Sequence, residues 1–435
     1  MRWTAILLGC VVAASAGADL PEPVGEDAYR PVDMAQARLG QKLFYDPILS
    51  GNRNISCATC HHPRFGTGDG LPLGLGEGGI GLGPERRVDA ENPPEQRIPR
   101  HSPALFNLGA YEFTRMFHDG RIEVDDTKPG GLRTPMGADM TQGFANLLSA
   151  QTMFPVLSQD EMAGHYSEND VSRAVRMGRI TGPDGAWAIL SRRVAQTPGY
   201  APLIAAAFPK ANEVGFTDLS DAIAAFVAFE WRSDESPFDA YLRGAGDLPQ
   251  RAMEGMALFY GEAGCATCHA GPFQTDHGFH ATGVPQFGPG KAARFESHMR
   301  DTGRMRVTGR VEDAYAFRTP SLRNVADTAP YGHTGSHADL GAFIADHADP
   351  AAALARFDPG TVRLPDLPGA QDWRHAETEA EQAALLAAVS VTPVRLSQDD
   401  ITALVAFLET LSDPVALGGR LGVPDTVPSG LPVDR

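Results

Sequence analysis

Long apolar segments and basic residues are both scarce in this chain. The apolar run from Ala5 to Ala14 is shorter than the ~20 residues that a membrane-spanning helix requires, so no stable membrane span is predicted. Lysine and arginine together number 37 against 54 aspartates and glutamates, which gives a net charge of −17. This excess of negative charge disfavours nucleic acid and anionic membranes as partners. With 43% hydrophobic residues over 435 positions, the chain can build two or three packed domains.

The first residues predict an export signal. A single positive charge at Arg2 precedes the apolar run, and small residues continue to Ala18, just before acidic, proline-containing sequence. This order is typical of a secretory signal peptide over residues 1–18, and it predicts a periplasmic protein. A membrane anchor is the alternative, but the apolar run is too short for one. Cys10 follows Leu-Leu-Gly as in lipoprotein signals, yet it lies very early for lipidation.

Cysteine is also sparse, and its spacing argues against disulfides. Four cysteines remain after Cys10, a number that in an exported chain would ordinarily suggest two disulfides. Here they stand in two identical strings, Cys-Ala-Thr-Cys-His, of the type that attaches c-type haem through two thioethers and ligates its iron through the histidine. The attachment residues are Cys57, Cys60, Cys265 and Cys268, and the iron ligands are His61 and His269.

Two other uses of these cysteines fit less well. A thioredoxin-like pair does not need the following histidine and would not occur twice. Four cysteines plus two histidines exceed the ligand count of one structural zinc ion. We therefore predict two covalently bound c-type haems.

The haem strings belong to a larger internal repeat. Each follows a helix-like segment that ends in aromatic residues, MAQARLGQKLFYDP before the first and RAMEGMALFYGEAG before the second. Strand alternation is scarce, so the predicted fold is mainly α, with two cytochrome-c-like haem domains in tandem. The apolar spacing over 216–242 predicts one long helix that closes the first domain, and the region of Pro249 predicts a linker.

These patterns give the domain limits. After the signal peptide, the first haem domain covers 30–247 and the second covers 248–394. A C-terminal amphipathic helix over 397–412, with Ser397 as its cap, is expected to pack back on the first domain. The remaining residues, 413–435, form a tail.

Beyond the haem strings, the chain resembles the bacterial di-haem cytochrome c peroxidases and their MauG-like relatives along nearly its whole length after residue 33. The resemblance implies that the first haem, with His61 on its iron, handles peroxide, and that the second, with His269, passes electrons. The matching stretches are LFYDPILSGNRNISCATCHH, FHDGR, QTMFPVLSQDEM, SPFDAYLRG, LFYGEAGCATCHAGPFQTDHGFHATGVPQFG and FRTPSLRNVADTAPYGHTG.

The resemblance also implies the residues on the peroxide side of the first haem. The family has a glutamine, a proline four residues on and a glutamate ten residues on, which match Gln151, Pro155 and Glu161, followed by Met162 as in the family. Cleavage of a peroxide needs a base that takes a proton from one oxygen and returns it to the other, and a carboxylate can do this. Without the resemblance, Glu161 would be interpreted as a solvated acid at a helix start.

Two departures concern iron ligands. Many relatives have a gating histidine on the loop after the first motif, but residues 63–100 contain no histidine, and the position sixteen after His61 is Glu77. We therefore predict a first haem that is five-coordinate or water-bound without reductive activation. The family's distal ligand to the second iron, methionine or tyrosine fourteen residues after His333, is here His347. A bis-histidine haem of lower potential is predicted, with a surface histidine in FIADHADP as the alternative.

Two further departures lie between the haems. His118 replaces the tryptophan that usually relays charge in the family, and imidazole is much harder to oxidise than indole; Trp187 or Trp231 could compensate. The resemblance leaves room for one calcium ion on the backbone oxygens of Thr328 and Pro330, but His101 replaces the family's asparagine ligand. The glycine-rich string LPLGLGEGGIGLGP lacks the strand and helix of a nucleotide loop, and we predict that it covers the first haem.

Three functions remain open on these observations. The first is reduction of hydrogen peroxide with electrons from a soluble cytochrome c or a cupredoxin. The second is MauG-like, peroxide-dependent oxidation of a partner protein. The third is a di-haem electron carrier without catalysis, which would require both irons to be six-coordinate. The oligomeric state is not fixed by the sequence, and a homodimer is left open.

Overall fold

Helices dominate the computed structural model, which describes residues 19–140, 142–291 and 298–435. The prediction of a mainly helical fold is confirmed. The predicted signal peptide with Cys10 lies outside these ranges, and none of the helices within them has the length and hydropathy to cross a bilayer. The α-helices are α1 (Met34–Tyr45), α2 (Cys57–Cys60), α3 (Leu147–Thr152), α4 (Asp170–Arg176), α5 (Ala186–Ala195), α6 (Ala201–Ala207), α7 (Phe216–Glu230), α8 (Pro237–Leu242), α9 (Gln250–Tyr260), α10 (Met305–Thr308), α11 (Leu340–Ala348), α12 (Pro350–Arg356), α13 (Glu379–Ala388), α14 (Gln398–Glu409) and α15 (Pro414–Gly418).

The strands are short and antiparallel. One pair and one three-stranded sheet belong to the first half of the chain, and another pair belongs to the second half. The strands are β1 (Gly79–Ile80) with β2 (Arg87–Val88), β3 (Arg115–Met116) with β4 (Ile122–Val124) and β5 (Leu132–Arg133), and β6 (Phe279–His280) with β7 (Phe317–Arg318).

Two helix pairs are built on the same close crossing. α1 packs along α7, and a Cβ added to Gly40 would lie 1.9 Å from the carbonyl oxygen of Ala222. α9 packs along α14 in the same way, and a Cβ added to Gly255 would lie 1.9 Å from the carbonyl oxygen of Ala403. Glycine permits this approach of two helix backbones because it has no side chain. Since α1 and α9 each precede a haem string, the repeat in the sequence is also a repeat of structure.

Two main hydrophobic cores follow this repeat. The first core surrounds the α1–α7 pair and contains Leu43 and Phe226. The second core surrounds the α9–α14 pair and contains Phe259 and Phe407. Each haem string therefore sits at the edge of its own core.

The prediction that the helix over 397–412 packs back on the first domain is wrong. α14 buries Leu404 and Phe407 against α9 in the second core, where it takes the place that α7 has in the first. The tail over 413–435 is the segment that returns. Val427 is buried in the first core, and the Asp434 carboxylate accepts a hydrogen bond from Thr59 of the first haem string.

The segment over 216–242, predicted as one long helix, forms two helices. α7 and α8 are separated by a break that ends at Ser236, whose side chain caps the first turn of α8. Pro237 disfavours helical backbone at the residue before it, so the sequence at this point itself favours the break. Phe238 already packs in the second core. The boundary between the two packed units therefore lies before residue 247, where the first domain was predicted to end.

Candidate haem sites and peroxide pocket

The first haem string forms a single helical turn. In α2, Cys57 and Cys60 are three positions apart, so both free thiols project from one face. The Ser56 N–H donates to Thr59 Oγ1 at 2.9 Å, and the His61 N–H donates to the Cys57 carbonyl at 3.0 Å. The turn therefore presents two thiols and one imidazole together, the donor set that covalent attachment of haem requires.

The tautomer of His61 is fixed by its neighbours. Its Nδ1 is 2.9 Å from the carbonyl oxygen of Thr67. A carbonyl can only accept, so Nδ1 carries the proton and Nε2 keeps a lone pair for a metal ion. Burial lowers the pKa of His61, which favours the neutral imidazole that ligates iron.

The second haem string repeats this arrangement. Cys265–Thr267 is a 3₁₀ turn, and the His269 N–H donates to the Cys265 carbonyl at 3.0 Å. His269 Nδ1 lies 3.1 Å from the carbonyl oxygen of Gln274, so Nδ1 carries the proton and Nε2 keeps its lone pair. Burial lowers the pKa of His269 as well.

A second imidazole faces His269. His347 lies in α11, and its ring centroid is 6.5 Å from that of His269. Two imidazoles that bind one metal ion from opposite sides, each at the ~2.0–2.1 Å distance usual for histidine, have ring centroids roughly 6.4 Å apart. Burial and the neighbouring His269 lower the pKa of His347 to about 4, so His347 is neutral at neutral pH. These residues fit a bis-histidine haem iron.

The residues predicted around peroxide lie on one continuous segment. Gln151 is in the last turn of α3, Pro155 begins the next turn, and Glu161 lies in the π-helical turn Gln159–Ala163, a conformation frequent at functional sites. Gln151 Oε1 is buried without a hydrogen-bond partner in the described part of the chain, which is common for atoms that serve a ligand. Burial raises the pKa of the Cys60 thiol, and the negative charge of the nearby Glu161 carboxyl adds to that rise. The fold therefore brings this segment to the first haem string.

The charge of Glu161 depends on two cations. Burial raises the pKa of Glu161, and the positive charges of Lys291 and Arg121 oppose that rise. Burial, together with Arg121 and Arg100, lowers the pKa of Lys291 to about 8. Lys291 was not predicted from the sequence. It lies in the second half of the chain, and no motif around it indicates a place beside Glu161.

Glu77 stands where the resemblance places a gating histidine. Its side chain is 1% exposed, and its Oε1 accepts hydrogen bonds from Asn52 at 2.9 Å and from Asn54 at 2.8 Å. Its backbone N–H donates to the Asp160 carbonyl at 3.0 Å. These hydrogen bonds hold the glycine-rich loop beside Glu161. At position 77, a carboxyl group that is hydrogen-bonded to two asparagines replaces the imidazole of the family's gating histidine.

His118 lies where the two halves of the chain meet. Its Nε2 lies 3.1 Å from the His101 carbonyl oxygen and donates to it, and burial beside Arg100 lowers the pKa of His118 well below its ordinary value. Arg100 joins the two halves through its ion pair with Asp301 at 2.6 Å, and it also pairs with Asp119 of its own half at 2.8 Å. The interface therefore holds a neutral imidazole within a network of paired charges.

The two tryptophans proposed as substitutes lie elsewhere. Trp187 donates its indole N–H to the Met153 carbonyl at 3.0 Å, beside the peroxide segment. Trp231 packs against Phe44 and Phe226 in the first core. Neither is part of the loop that carries His118.

The residues at the calcium position do not fit that ion. His101 Nδ1 donates to the Leu71 carbonyl at 2.8 Å, and an imidazole nitrogen is a poor substitute for the oxygen ligands that calcium prefers. Burial lowers the pKa of His101 to about 4, so the ring contributes no charge. Calcium on the carbonyl oxygens of Thr328 and Pro330 stays a prediction of the resemblance, and no role follows from it.

Comparison with known proteins matches this architecture to one family. The pattern of the family described as di-haem cytochrome c peroxidase matches residues 34–247. Cytochrome c551 peroxidase of Pseudomonas aeruginosa is 31% identical over 321 residues, which cover 73% of this chain and 72% of that protein. Methylamine utilization protein MauG of Methylorubrum extorquens is 29% identical over 404 residues, 91% of this chain and 84% of that protein.

Solved structures share the fold over nearly the whole chain. A MauG-like protein associated with microbial copper homeostasis has a TM-score of 0.57 and 25% identity, and the match covers 96% of this chain and 97% of that chain. The diheme peroxidase BthA of Burkholderia thailandensis has a TM-score of 0.56 and 23% identity, over 98% and 97% of the two chains, and supports the fold alone. With the sequence matches, these findings make the chain a member of the di-haem cytochrome c peroxidase and MauG family, an enzyme of the peroxidase type.

Proposed function

We propose that this chain is an exported di-haem enzyme that reduces hydrogen peroxide with electrons from a small redox protein. One haem is attached through Cys57 and Cys60, and the other through Cys265 and Cys268. The observation that carries the proposal is a difference between the two haem strings. His269 of the second string faces the imidazole of His347, whereas the neighbour of the first string that supports a reaction site is the segment with Gln151 and Glu161, whose carboxyl acts on the Cys60 thiol. A fully ligated iron suits electron transfer, and an open one suits reaction with peroxide.

The repeated helix pairs support an assignment of two cytochrome-c-like domains in tandem. In each, one close helix crossing holds the segment that precedes a haem string. The N-terminal signal pattern supports export to the periplasm, where c-type haem proteins and their small donors meet.

The chain's own residues supply the proton chemistry. Haem, when bound, supplies the iron through which electrons reach the peroxide. Reduction of one hydrogen peroxide to two water molecules consumes two electrons and two protons. The Glu161 carboxylate takes a proton from one peroxide oxygen and returns it to the other, which leaves as water. Gln151 holds the peroxide by hydrogen bonding, and Lys291 favours the ionised form of Glu161 that a base requires.

Electrons enter through the second haem in this proposal. Its two imidazole ligands, His269 and His347, favour a lower potential than a methionine thioether would. A soluble cytochrome c or a cupredoxin is the donor, and the net charge of −17 suits a donor with a basic docking face.

The presence of Glu77 in place of a gating histidine also favours a second candidate function, MauG-like oxidation of a partner protein. Without a gating imidazole, the first haem site can react with peroxide in every redox state. An enzyme that forms a long-lived oxidised state needs such a site. The neutral, half-buried His118 at the interface counts against this candidate because imidazole is much harder to oxidise than the indole it replaces. We therefore give peroxide reduction precedence.

The deciding experiment is a peroxide titration of the purified protein, followed optically with and without a reduced cytochrome c. We expect one Soret band to respond and the donor to be oxidised over many turnovers. Glu161→Gln should slow the reaction with peroxide by ~10²–10⁴-fold because it removes the base, whereas Glu213→Gln, at an exposed loop position, should not. Rapid reaction with peroxide but slow donor turnover would favour the MauG-like candidate. Failure of both peroxide and cyanide to perturb either Soret band would leave only an electron carrier.

A further inference from the structure

Arg318 is a half-buried cation whose guanidinium is held by backbone carbonyl oxygens. Its Nε donates to the Phe117 carbonyl at 3.2 Å and its Nη1 donates to the Thr319 carbonyl at 3.3 Å. Across the described ranges, no carboxylate lies within ion-pair distance of it. Part of the side chain is accessible to solvent, yet burial lowers the pKa of its guanidinium to about 10, and no nearby acid opposes this effect.

Two other arginines at the interface between the halves, Arg100 and Arg304, pair with carboxylates. Arg100 binds the carboxylates of Asp119 and Asp301, and Arg304 binds both carboxylate oxygens of Glu123, at 2.9 and 2.8 Å. Unpaired charge in a protein interior is strongly unfavourable, so native structures pair it with an opposite charge. Arg318 therefore points to an anion that the described residues do not provide.

The position of Arg318 identifies the chemistry of that anion. Its backbone N–H donates to the His118 carbonyl at 2.7 Å, so it touches the loop of the first half. The Thr319 carbonyl accepts the Thr275 hydroxyl at 2.8 Å, one residue after Gln274, whose carbonyl orients His269. Arg318 thus lies between the interface loop and the proximal side of the second haem string. Haem itself carries two carboxylates, and the planar guanidinium fork matches a carboxylate in shape and charge.

We propose that Arg318 binds a carboxylate side chain of the haem attached at the second string and clamps that haem to the loop of the first half. The proposal rests on the proposed haem attachment but not on the reaction with peroxide. In this role Arg318 positions the second haem and also changes its reduction potential. A cation beside the haem favours the reduced, less positive iron, so Arg318 raises the potential of the second haem and offsets part of the lowering by two imidazoles.

Redox titration of the two-haem protein tests the proposal without peroxide. Arg318→Gln keeps a donor for the Phe117 carbonyl but removes the charge, and Arg318→Lys keeps the charge. We expect Arg318→Gln to weaken the reduced state of the second haem by at least tenfold, a shift of ~59 mV to lower potential, and Arg318→Lys to stay near wild type. Arg310→Gln, which alters an exposed arginine paired with Asp313, is the matched control and should leave both potentials unchanged.

Each outcome of this titration is decisive. A shift of the first haem instead of the second would overturn the assignment to the second haem. An unchanged potential in Arg318→Gln, or an equal shift in Arg318→Lys, would overturn the role of the charge. If Arg318→Gln and Arg318→Met lose the second haem during maturation while Arg318→Lys keeps it, the proposal is supported, because a positive charge is then what that haem requires. Loss in all three variants would assign Arg318 to packing alone.

Discussion

The imidazole rings of His269 and His347 face each other with their centroids 6.5 Å apart. His269 follows a cysteine string, whereas His347 belongs to α11, which begins at the cap Asp339. The ring of Phe343 stacks on that of His347 at 5.5 Å and fixes its orientation. The polypeptide therefore holds both rings in ligand positions, and burial holds both in the neutral state.

Replacement of His347 should open the second iron. In His347→Ala the iron would lose the second of its two protein ligands, so we expect the low-spin signal of that haem to become high-spin. In His347→Met a thioether replaces imidazole, and the potential should rise. Electron paramagnetic resonance and redox titration measure the two effects.

His337→Ala is the control for this change. His337 is a neighbouring histidine that pairs with Asp346 at 2.8 Å and does not face His269. Its replacement should leave the spectrum of both haems as it was. An unchanged spectrum in His347→Ala would instead mean that His347 is not a ligand.

Removal of Lys291 should change the pH dependence of the reaction with peroxide. Glu161 acts as a base only when ionised, so the rate falls as the pH falls through its pKa, which burial holds above the ordinary value. Lys291 and Arg121 favour the ionised form, whereas Asp160 opposes it. Lys291→Met therefore raises the pKa of Glu161 further, and the acidic limb of the rate profile should move to higher pH.

Stopped-flow rates across pH measure this shift. Lys210→Met, at an exposed position, is the matched control and should keep the wild-type profile. A loss of rate that is equal at every pH would contradict the electrostatic role and indicate a structural effect of Lys291.

The sequence predicted the parts of the site that depend on spacing. Both haem strings were assigned from the spacing within each string, and Gln151, Glu161 and His347 from fixed intervals along the chain that the family resemblance supplied. The fold places His347 against His269 and Glu161 close to Cys60, while the roles of Gln151 and Glu161 stay predictions. Local patterns also predicted a mainly helical chain. These features need no knowledge of how the two halves pack.

Features that depend on packing between distant segments were not predictable. α14 was assigned to the wrong core because an amphipathic helix shows only that one face is buried and not against which partner. The partner is determined at Gly255, where the helix backbones touch. The roles of Lys291 and Arg318 were not predicted for the same reason, because the groups that they contact across the interface come from the other half of the chain.

Glu77 makes a prediction about the resting protein. Its carboxylate is bonded to Asn52 and Asn54, so the loop has no imidazole to offer the first iron. We expect the fully oxidised protein to show one high-spin haem and to react with peroxide without prior reduction. Electron paramagnetic resonance of the oxidised protein measures this directly, and Glu77→Gln should keep the high-spin signal. A spectrum with low-spin haems only would contradict it.

The two glycine crossings should be the least tolerant positions of the helical framework. An added methyl group at Gly40 or Gly255 meets a helix carbonyl at 1.9 Å, and backbone cannot move away cheaply. We expect Gly40→Ala and Gly255→Ala each to destabilise the protein by ~1–3 kcal/mol or more. Gly418→Ala, in α15 with open space around it, should be neutral or stabilise slightly. Thermal unfolding followed by circular dichroism compares the three, and equal melting temperatures would contradict the proposed crossings.

Chelation of calcium should leave this protein unchanged. In a protein whose two halves are joined through a calcium ion, a chelator lowers the melting temperature because bound ligand stabilises the folded state by mass action. Here His101 bonds directly to the Leu71 carbonyl, and Arg100 of the first half joins the second half through Asp301. We therefore expect the same melting temperature with excess EGTA as with added calcium. Arg100→Met should lower it instead, because it leaves the buried Asp301 carboxylate without its arginine and removes one of the two arginines that pair with Asp119. A drop in EGTA that calcium restores would show that the carbonyl oxygens of Thr328 and Pro330 bind the ion despite the missing asparagine.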